Sequence, residues 1–386
     1  MSIHERRRID VGGLEELFGA LTHRGYSLVG PTIRDDAIVY AELTSASDLP
    51  IGWTDEQDGG TYRLTARDDG ARFGYAVGPH AWKRYLFPSS LTLWRAQRPS
   101  GNGRFEIEDR TAEPPAYAFI GVRSCELHAM RIQDRVFLSE THPDPVYAAR
   151  RERAFIVAVD CTEPGGTCFC ASMGTGPKAT SGYDIALTEV VSDDEHYFVA
   201  ESGSDRGSEV LGEIDAPAAA GAEAQLAEEL VNQAADRMGR SMETEGIKEL
   251  LQNNLEHPRW ERVGERCLSC GNCTQVCPTC FCTTVEDVTD ITGRTADRVR
   301  YWDSCFNLSF SYIHGGSVRN ETSSRYRQWM THKLAHWIDQ FGTSGCVGCG
   351  RCITWCPVGI DITEEVRAIR DTRQDEPIAS AAGEGH

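Results

Sequence analysis

Two runs of closely spaced cysteines carry the clearest chemical signal in this sequence. One extends from Cys267 to Cys277 and the other from Cys346 to Cys356, and both follow the spacing C-x2-C-x2-C-x3-C-P. Three cysteines at two-residue intervals allow one loop to hold three corners of an iron–sulfur cubane, and this spacing is typical of bacterial ferredoxins. The runs therefore predict two [4Fe–4S] clusters, because zinc sites usually pair two separate Cys-x-x-Cys knuckles instead.

The fourth cysteine of each run predicts crossed ligation. It lies too far around its own loop to close the same cage, and in two-cluster ferredoxins it ligates the other cluster. We expect one ligand set of Cys267, Cys270, Cys273 and Cys356, and a second of Cys346, Cys349, Cys352 and Cys277. Because each cluster would join both runs, the metals are expected to be part of the fold of this region.

Four cysteines upstream predict a third cluster. Cys125 follows the strand-like run 116–122, and Cys161 follows the strand-like run 154–159. If these strands are parallel neighbours, both cysteines lie at the carboxyl edge of one sheet, where open α/β sheets bind ligands. The Gly165-Gly166 turn would bring the remaining two, Cys168 and Cys170, to the same place. A third [4Fe–4S] cluster is the favoured interpretation, with zinc or unliganded thiols as the alternatives.

Three cysteines are left over: Cys280, Cys282 and Cys305. Thr279-Cys-Phe-Cys282 repeats Thr167-Cys-Phe-Cys170, so these cysteines are candidate ligands in a different pairing. The simpler interpretation is buried thiols beside the clusters. His332 and His336 have a metal-type spacing, but Lys333 stands where H-E-x-x-H has its glutamate, which favours packing or solvated histidines.

The elements around these cysteines indicate two kinds of domain. Short strand-like runs alternate with helix-like stretches in 1–200, which predicts an α+β (mixed α/β) domain carrying the third site. The Gly-, Ser- and Ala-rich segment 201–222 is expected to be a linker. Apolar residues at helical spacing then predict an all-α, ferredoxin-like two-cluster domain over 223–372. The tail 373–386 is expected to be disordered.

Composition narrows the possible partners. The chain has 386 residues and a formal charge of −19, which makes nucleic acid a poor partner because phosphate binding needs a basic face. No apolar run is long enough to cross a bilayer, and the N-terminus has no apolar core of a signal peptide. Fifteen cysteines in tight groups favour metal ligation in a reducing compartment, so we expect a cytoplasmic protein.

Longer stretches resemble one known family. Besides the two ferredoxin runs, they are Lys83-Arg-Tyr-Leu-Phe-Pro88, Phe119-Ile-Gly-Val-Arg-Ser-Cys125, 160–170, 277–282 and Trp302-Asp-Ser-Cys305. Together they cover most of the chain from about Lys83 to Val366 and resemble the iron–sulfur β subunit of soluble group 3 [NiFe] hydrogenases, also called sulfhydrogenases. The A subunit of anaerobic sulfite reductase shares much of this pattern.

The resemblance implies a relay of electrons within a complex. In that family the β subunit connects a flavin subunit that handles NAD(P)(H) with the small and large subunits that carry the nickel–iron site. The sequence agrees in that it has no G-x-G-x-x-G fingerprint after a strand and no P-loop. Two alternatives stay open: an electron-input subunit of a sulfite or sulfur reductase, and a self-contained redox enzyme or iron–sulfur sensor using Cys280, Cys282 and Cys305.

Overall fold

The computed structural model describes residues 6–98, 104–109 and 114–372. The tail 373–386, predicted to be disordered, lies outside the described residues. None of the helices within these three ranges is long and apolar enough to cross a membrane.

A mixed sheet of seven strands forms the centre of the N-terminal part, in the order β1-β11-β10-β9-β8-β2-β3. Its four middle strands, β10, β9, β8 and β2, are parallel, and the strands at both edges are antiparallel. The strands are β1 (Arg6–Asp10), β2 (Ser27–Arg34), β3 (Ala37–Glu42), β8 (Tyr117–Val122), β9 (Phe155–Val159), β10 (Ile185–Val191) and β11 (His196–Ser202).

Helices cover both faces of this sheet. The helices of this part are α1 (Val11–His23), α2 (Lys83–Leu86), α3 (Ser124–Phe137), α4 (Pro145–Arg153), α5 (Asp205–Leu211) and α6 (Gly221–Asp236). Because side chains alternate along a strand, Ile120 and Val157 face α1 and α5, whereas Phe119 and Ile156 face α3 and α4. The predicted mixed α/β architecture is confirmed.

A second sheet joins the two halves of the chain. It is antiparallel, with the order β12-β13-β6-β7. Its strands are β6 (Ser90–Gln97), β7 (Glu106–Asp109), β12 (Thr283–Thr289) and β13 (Thr295–Trp302), and a separate hairpin consists of β4 (Trp53–Asp58) and β5 (Thr61–Ala66). In β13, Thr295 pairs with Gln97 and Tyr301 with Ser90, so a strand from the cysteine-rich part lies beside one from the N-terminal part.

The expectation of an all-α region over 223–372 is therefore corrected. Helices do surround the cysteine runs, but the hairpin β12–β13 lies between those runs. Strand β12 is rich in Thr and Val, with Val285 and Val288 on either side of two acidic residues, and Asp290 and Gly293 provide the turn. A run rich in β-branched residues before a glycine-containing turn is an ordinary signal of a hairpin.

The segment 201–222 also differs from the expected linker. Ser202 ends β11, and Ser204 caps the start of α5: its hydroxyl accepts a hydrogen bond from Gly207 N. Val210 and Leu211 of α5 are buried in the core of the sheet. Two well-placed apolar residues and one cap are enough to fix such a short helix, so the segment is ordered although its composition is typical of a loop.

The remaining helices pack around the ferredoxin runs. They are α7 (Ile247–Asn253), α8 (Arg259–Arg266), α9 (Asn272–Gln275), α10 (Thr322–Thr331), α11 (Trp337–Phe341), α12 (Arg351–Thr354) and α13 (Ile362–Asp371). A π-helical segment, His332–His336, connects α10 to α11. The shared apolar core of this part includes Trp260, Tyr326 and Trp329, and six cysteines pack against it.

Candidate iron–sulfur centres

Both ferredoxin runs fold in the same way around a left-handed glycine. Gly271 follows the second cysteine of the first run with φ +75°, and Gly350 takes the same position in the second run with φ +74°. Each glycine begins one helical turn, α9 or α12, that carries the third cysteine of its run. Glycine adopts positive φ without steric cost, so the C-x2-C-G-x-C pattern folds into a tight cysteine-lined loop at both places.

The first cavity is lined by the four cysteines predicted for one cluster. Its wall also contains Cys352 and three aromatic side chains, Phe306, Tyr326 and Trp329; the four cysteines are Cys267, Cys270, Cys273 and Cys356. Cys356 comes from the other run, and its sulfur accepts a hydrogen bond from Ile360 N at 3.3 Å. The structure thus brings the cysteines of this predicted ligand set together, while their binding of iron stays a prediction.

The second cavity lies beside the first. It is lined by the four cysteines predicted for the other cluster, together with Phe169, Lys333 and Ile362; these cysteines are Cys277, Cys346, Cys349 and Cys352. Cys352 lines both cavities, so the two sites are adjacent. Burial raises the pKa of the Cys346 thiol to about 12, and iron binding must displace such protons because cysteine binds metals as the thiolate.

Two buried hydrogen-bond donors in the wall of the first cavity bear on whether it suits an iron–sulfur cluster. The Tyr326 hydroxyl and the Trp329 Nε1 are buried and have no hydrogen-bond partner among the described residues. Both residues line this cavity. Buried donors without partners are costly, and cluster sulfur accepts hydrogen bonds that set its potential. The residues present therefore fit a sulfur-rich anionic group.

The upstream cysteines collect at one edge of the main sheet. Strands β8 and β9 are parallel neighbours, which is the condition on which the predicted third site depended, and Phe119 is paired to Ile156. Cys125 lies in the first turn of α3 after β8, and Cys161 follows β9. Burial raises the pKa of Cys125, and the thiols of Cys170 and Cys161 raise it further.

The other two cysteines of this third group lie in the loop after β9. Burial raises the pKa of Cys168 to about 12, with Cys161 and Cys349 as further contributors. No three Cys, His, Asp or Glu side chains of the described ranges converge as ligands of one metal ion would. A cubane places its iron and sulfur atoms between its cysteines, so its ligands need not meet at one point.

Backbone contacts join the third group to the second ferredoxin run. Phe169 N donates to Gly348 O at 2.8 Å, and the Thr175 hydroxyl donates to Val347 O at 2.6 Å. A Cβ at Gly348 would lie 2.7 Å from the backbone of Cys170. Cys125, Cys170 and Cys349 pack in one apolar cluster, so the third group lies directly beside the second cavity.

A buried ion pair between distant segments escaped the sequence analysis. The side chain of Arg351, which is 0% exposed, is paired with Glu126, the residue after Cys125. Glu126 also accepts hydrogen bonds from the Tyr40 hydroxyl and from Trp82 Nε1, both at 2.9 Å. The pair ties the second ferredoxin run to helix α3. The two residues are 225 positions apart, so no local sequence pattern connects them. The one available signal was that each charged residue stands next to a cysteine.

The three remaining cysteines form close pairs rather than a separate group. The neighbouring Cys277 thiol is the main cause that raises the pKa of Cys280, and Cys282 lies in the same way beside Cys305. A hydrogen bond from Cys305 is the main reason that the pKa of Cys282 falls to about 7. Neither predicted role for these cysteines, as alternative ligands or as buried thiols, is tested by this geometry.

Comparison with known proteins agrees with the motifs and the geometry. A family model described as "4Fe-4S dicluster domain" matches residues 266–360. The "Sulfhydrogenase 2 subunit beta" of Pyrococcus furiosus is 35% identical over 257 residues, which cover 65% of this chain and 74% of that protein. No solved structure matches significantly. The chain belongs to the family of sulfhydrogenase β subunits, and it is an iron–sulfur electron-transfer subunit that binds [4Fe–4S] clusters.

Proposed function

We propose that this chain relays single electrons through three [4Fe–4S] clusters held by the twelve cysteines of the three groups. The observation that carries this proposal is the unbroken row of cysteine groups. Cys352 lines both ferredoxin cavities, and Cys349 packs against Cys125 and Cys170 of the third group. Bound clusters supply reversible one-electron transfer.

The protein side chains hold and shield these sites. Phe306 and Trp329 close the first cavity with apolar rings, and Phe169 forms a wall of the second. Exclusion of water lowers the local dielectric, and burial and hydrogen bonds to sulfur are the main means by which a protein sets a cluster potential. The orphan Tyr326 hydroxyl and Trp329 Nε1 are well placed to donate such bonds.

The partners proposed for this relay are those of the hydrogenase family. At one end is a flavin subunit that handles NAD(P)(H), and at the other are the small and large subunits with the nickel–iron site, all in the cytoplasm. The name of the Pyrococcus relative supports a hydrogenase over a sulfite reductase complex. Phosphate-binding fingerprints are absent from the sequence, which supports nucleotide chemistry on a partner.

Anaerobic purification of the native complex tests this proposal. Copurification of a nickel-containing subunit and a flavin subunit, with bleaching of the cluster absorbance under hydrogen, is the expected result. The same preparation with argon in place of hydrogen is the matched control. A sirohaem-containing partner, together with absorbance that does not respond to hydrogen, would overturn the hydrogenase assignment.

A further inference from the structure

A buried lysine contacts a predicted ligand of the second cluster. Lys333 is only 5% exposed. Its ammonium donates to the sulfur of Cys277 at 3.2 Å and to the hydroxyl of Thr279 at 3.0 Å. Lys333 therefore places a full positive charge and an N–H···S hydrogen bond on one corner of this site.

The π-helical segment explains how a lysine reaches this position. Lys333 lies within the segment His332–His336, and the two residues after it, Leu334 and Ala335, continue the apolar core and are both 0% exposed. Its carbonyl accepts hydrogen bonds from Gly345 N at 2.7 Å and from the Ser344 hydroxyl at 3.2 Å. A π turn leaves the regular helical pattern and often marks a functional site. Here it anchors the loop that leads into Cys346.

The charge of Lys333 is balanced by sulfur rather than by a carboxylate. The hydrogen-bond partners that the structure gives its ammonium are a thiol and a hydroxyl. Buried charges persist when they are paired or next to a metal site, so this ammonium is matched to an anionic cluster.

We propose that Lys333 raises the reduction potential of the cluster assigned to Cys277, Cys346, Cys349 and Cys352. This inference rests on the ligand set of the proposed function. Uptake of one electron adds one negative charge to the site, and no bond forms or breaks. A fixed positive charge nearby, with a hydrogen bond to a ligand sulfur, stabilises the reduced form more than the oxidised form. Lys333 acts through Cys277 and is a positioning residue.

Replacement of Lys333 by methionine tests the proposal, because it removes the charge and the donor from a side chain of similar length. The purified native complex is titrated anaerobically with dithionite as the electron donor, and each cluster signal is followed by electron paramagnetic resonance. We expect one signal to shift to lower potential. Each tenfold weakening of the reduced form relative to the oxidised form lowers the potential by about 59 mV. Lys333→Arg, which keeps the charge, should keep the potential close to that of the parent protein.

The matched control is Lys248→Met. Lys248 lies on α7, which packs against the π-helical segment, but its ammonium forms an exposed ion pair with Asp339 at 3.0 Å. The Lys248→Met variant should leave the reduction potential of every cluster unchanged, because exposed charges are screened. Unchanged potentials in Lys333→Met with full iron content would overturn the inference. If Lys333→Met loses iron, Lys333→Gln gives the same test with a neutral donor in place of the charge.

Failure of the underlying ligand set has a different signature. If Cys277→Ser keeps the full iron content and every cluster signal of the parent, Cys277 is not a ligand and the proposed assignment fails. Unaltered potentials in the Lys333 variants, in a protein whose iron depends on Cys277, defeat only the inference about Lys333. Iron content and potential therefore separate the two outcomes.

Discussion

At the scale of single residues, the third cysteine group yields a prediction about iron content. Cys125→Ser should lower the iron of the anaerobically purified protein from about twelve to about eight atoms per chain, because loss of one ligand empties one cubane of three. Iron and acid-labile sulfide, assayed together with zinc, provide the measurement. Cys125 is the best choice because it enters the site from α3 rather than from the loop after β9.

Cys305→Ser is the control for this experiment. Cys305 is partly buried beside the clusters but belongs to none of the three proposed ligand sets. Its replacement should leave about twelve iron atoms per chain. About eight iron atoms with one zinc in the parent protein would contradict the third cluster, and loss of iron in Cys305→Ser would make Cys305 a ligand.

Cysteine spacing was the most informative residue-level pattern in the sequence. The C-x2-C-x2-C-x3-C-P pattern anticipated which side chains share each cavity, including the exchange of Cys277 and Cys356 between the runs. The pattern works because the geometry of a cubane dictates local spacing. Lys333 and the Glu126–Arg351 pair were missed because each acts on residues far away in the sequence.

At the scale of elements, the parallel pair β8–β9 was predictable and the hairpin β12–β13 was not. Two apolar runs, each followed by a cysteine, indicated a common sheet edge, and the structure pairs the strands in parallel with one irregularity between Ile120 and Val122. The hairpin was overlooked because helical spacing dominates the sequence on both sides of it. Its pairing with β6 joins residues about 200 positions apart, as the contact of Arg95 with Asp297 illustrates, and no local pattern records that.

The close approach of two loops gives a prediction about stability. Gly350 has φ +74°, and a Cβ there would lie 2.4 Å from the Thr167 hydroxyl and 2.5 Å from the Thr167 carbonyl oxygen. Gly350→Ala must therefore adopt a strained backbone and also separate the second ferredoxin run from the third group. We expect a loss of more than about 3 kcal/mol in the free energy of unfolding, measured by denaturant unfolding under anaerobic conditions.

Gly342→Ala separates the two causes. Gly342 ends α11 with φ +69°, but no described residue outside its own stretch of chain comes within 4 Å of a Cβ built on it. It should lose only the conformational term, about 1 to 2 kcal/mol. Equal losses in the two variants would show that the contact between the loops contributes nothing to stability.

At the scale of the whole molecule, the two parts depend on iron to different degrees. The core between the main sheet and helices α1 and α5 contains no cysteine among its described residues. The core of the C-terminal helices has Cys267, Cys273 and four more cysteines packed against it. Metal ligands can be part of the folding free energy, so iron should stabilise the second core directly and the first only through shared contacts.

Removal of iron with a strong chelator under reducing conditions should therefore unfold the molecule unevenly. Backbone amides of β8, β9 and β10 should remain protected from hydrogen exchange, because their ladder bonds and apolar faces need no metal. Amides of the two ferredoxin runs and of α10 should exchange quickly, because the apolar core of this part packs around the cysteine cavities and loses contacts when they are empty. Mass spectrometry of peptides from both parts provides the measurement, with the iron-loaded protein as the control.

The hairpin β12–β13 should show intermediate protection, since its pairing with β6 persists while its flanking loops are released. Equal loss of protection in both parts would instead show that the sheet shared by the two halves makes them a single cooperative unit.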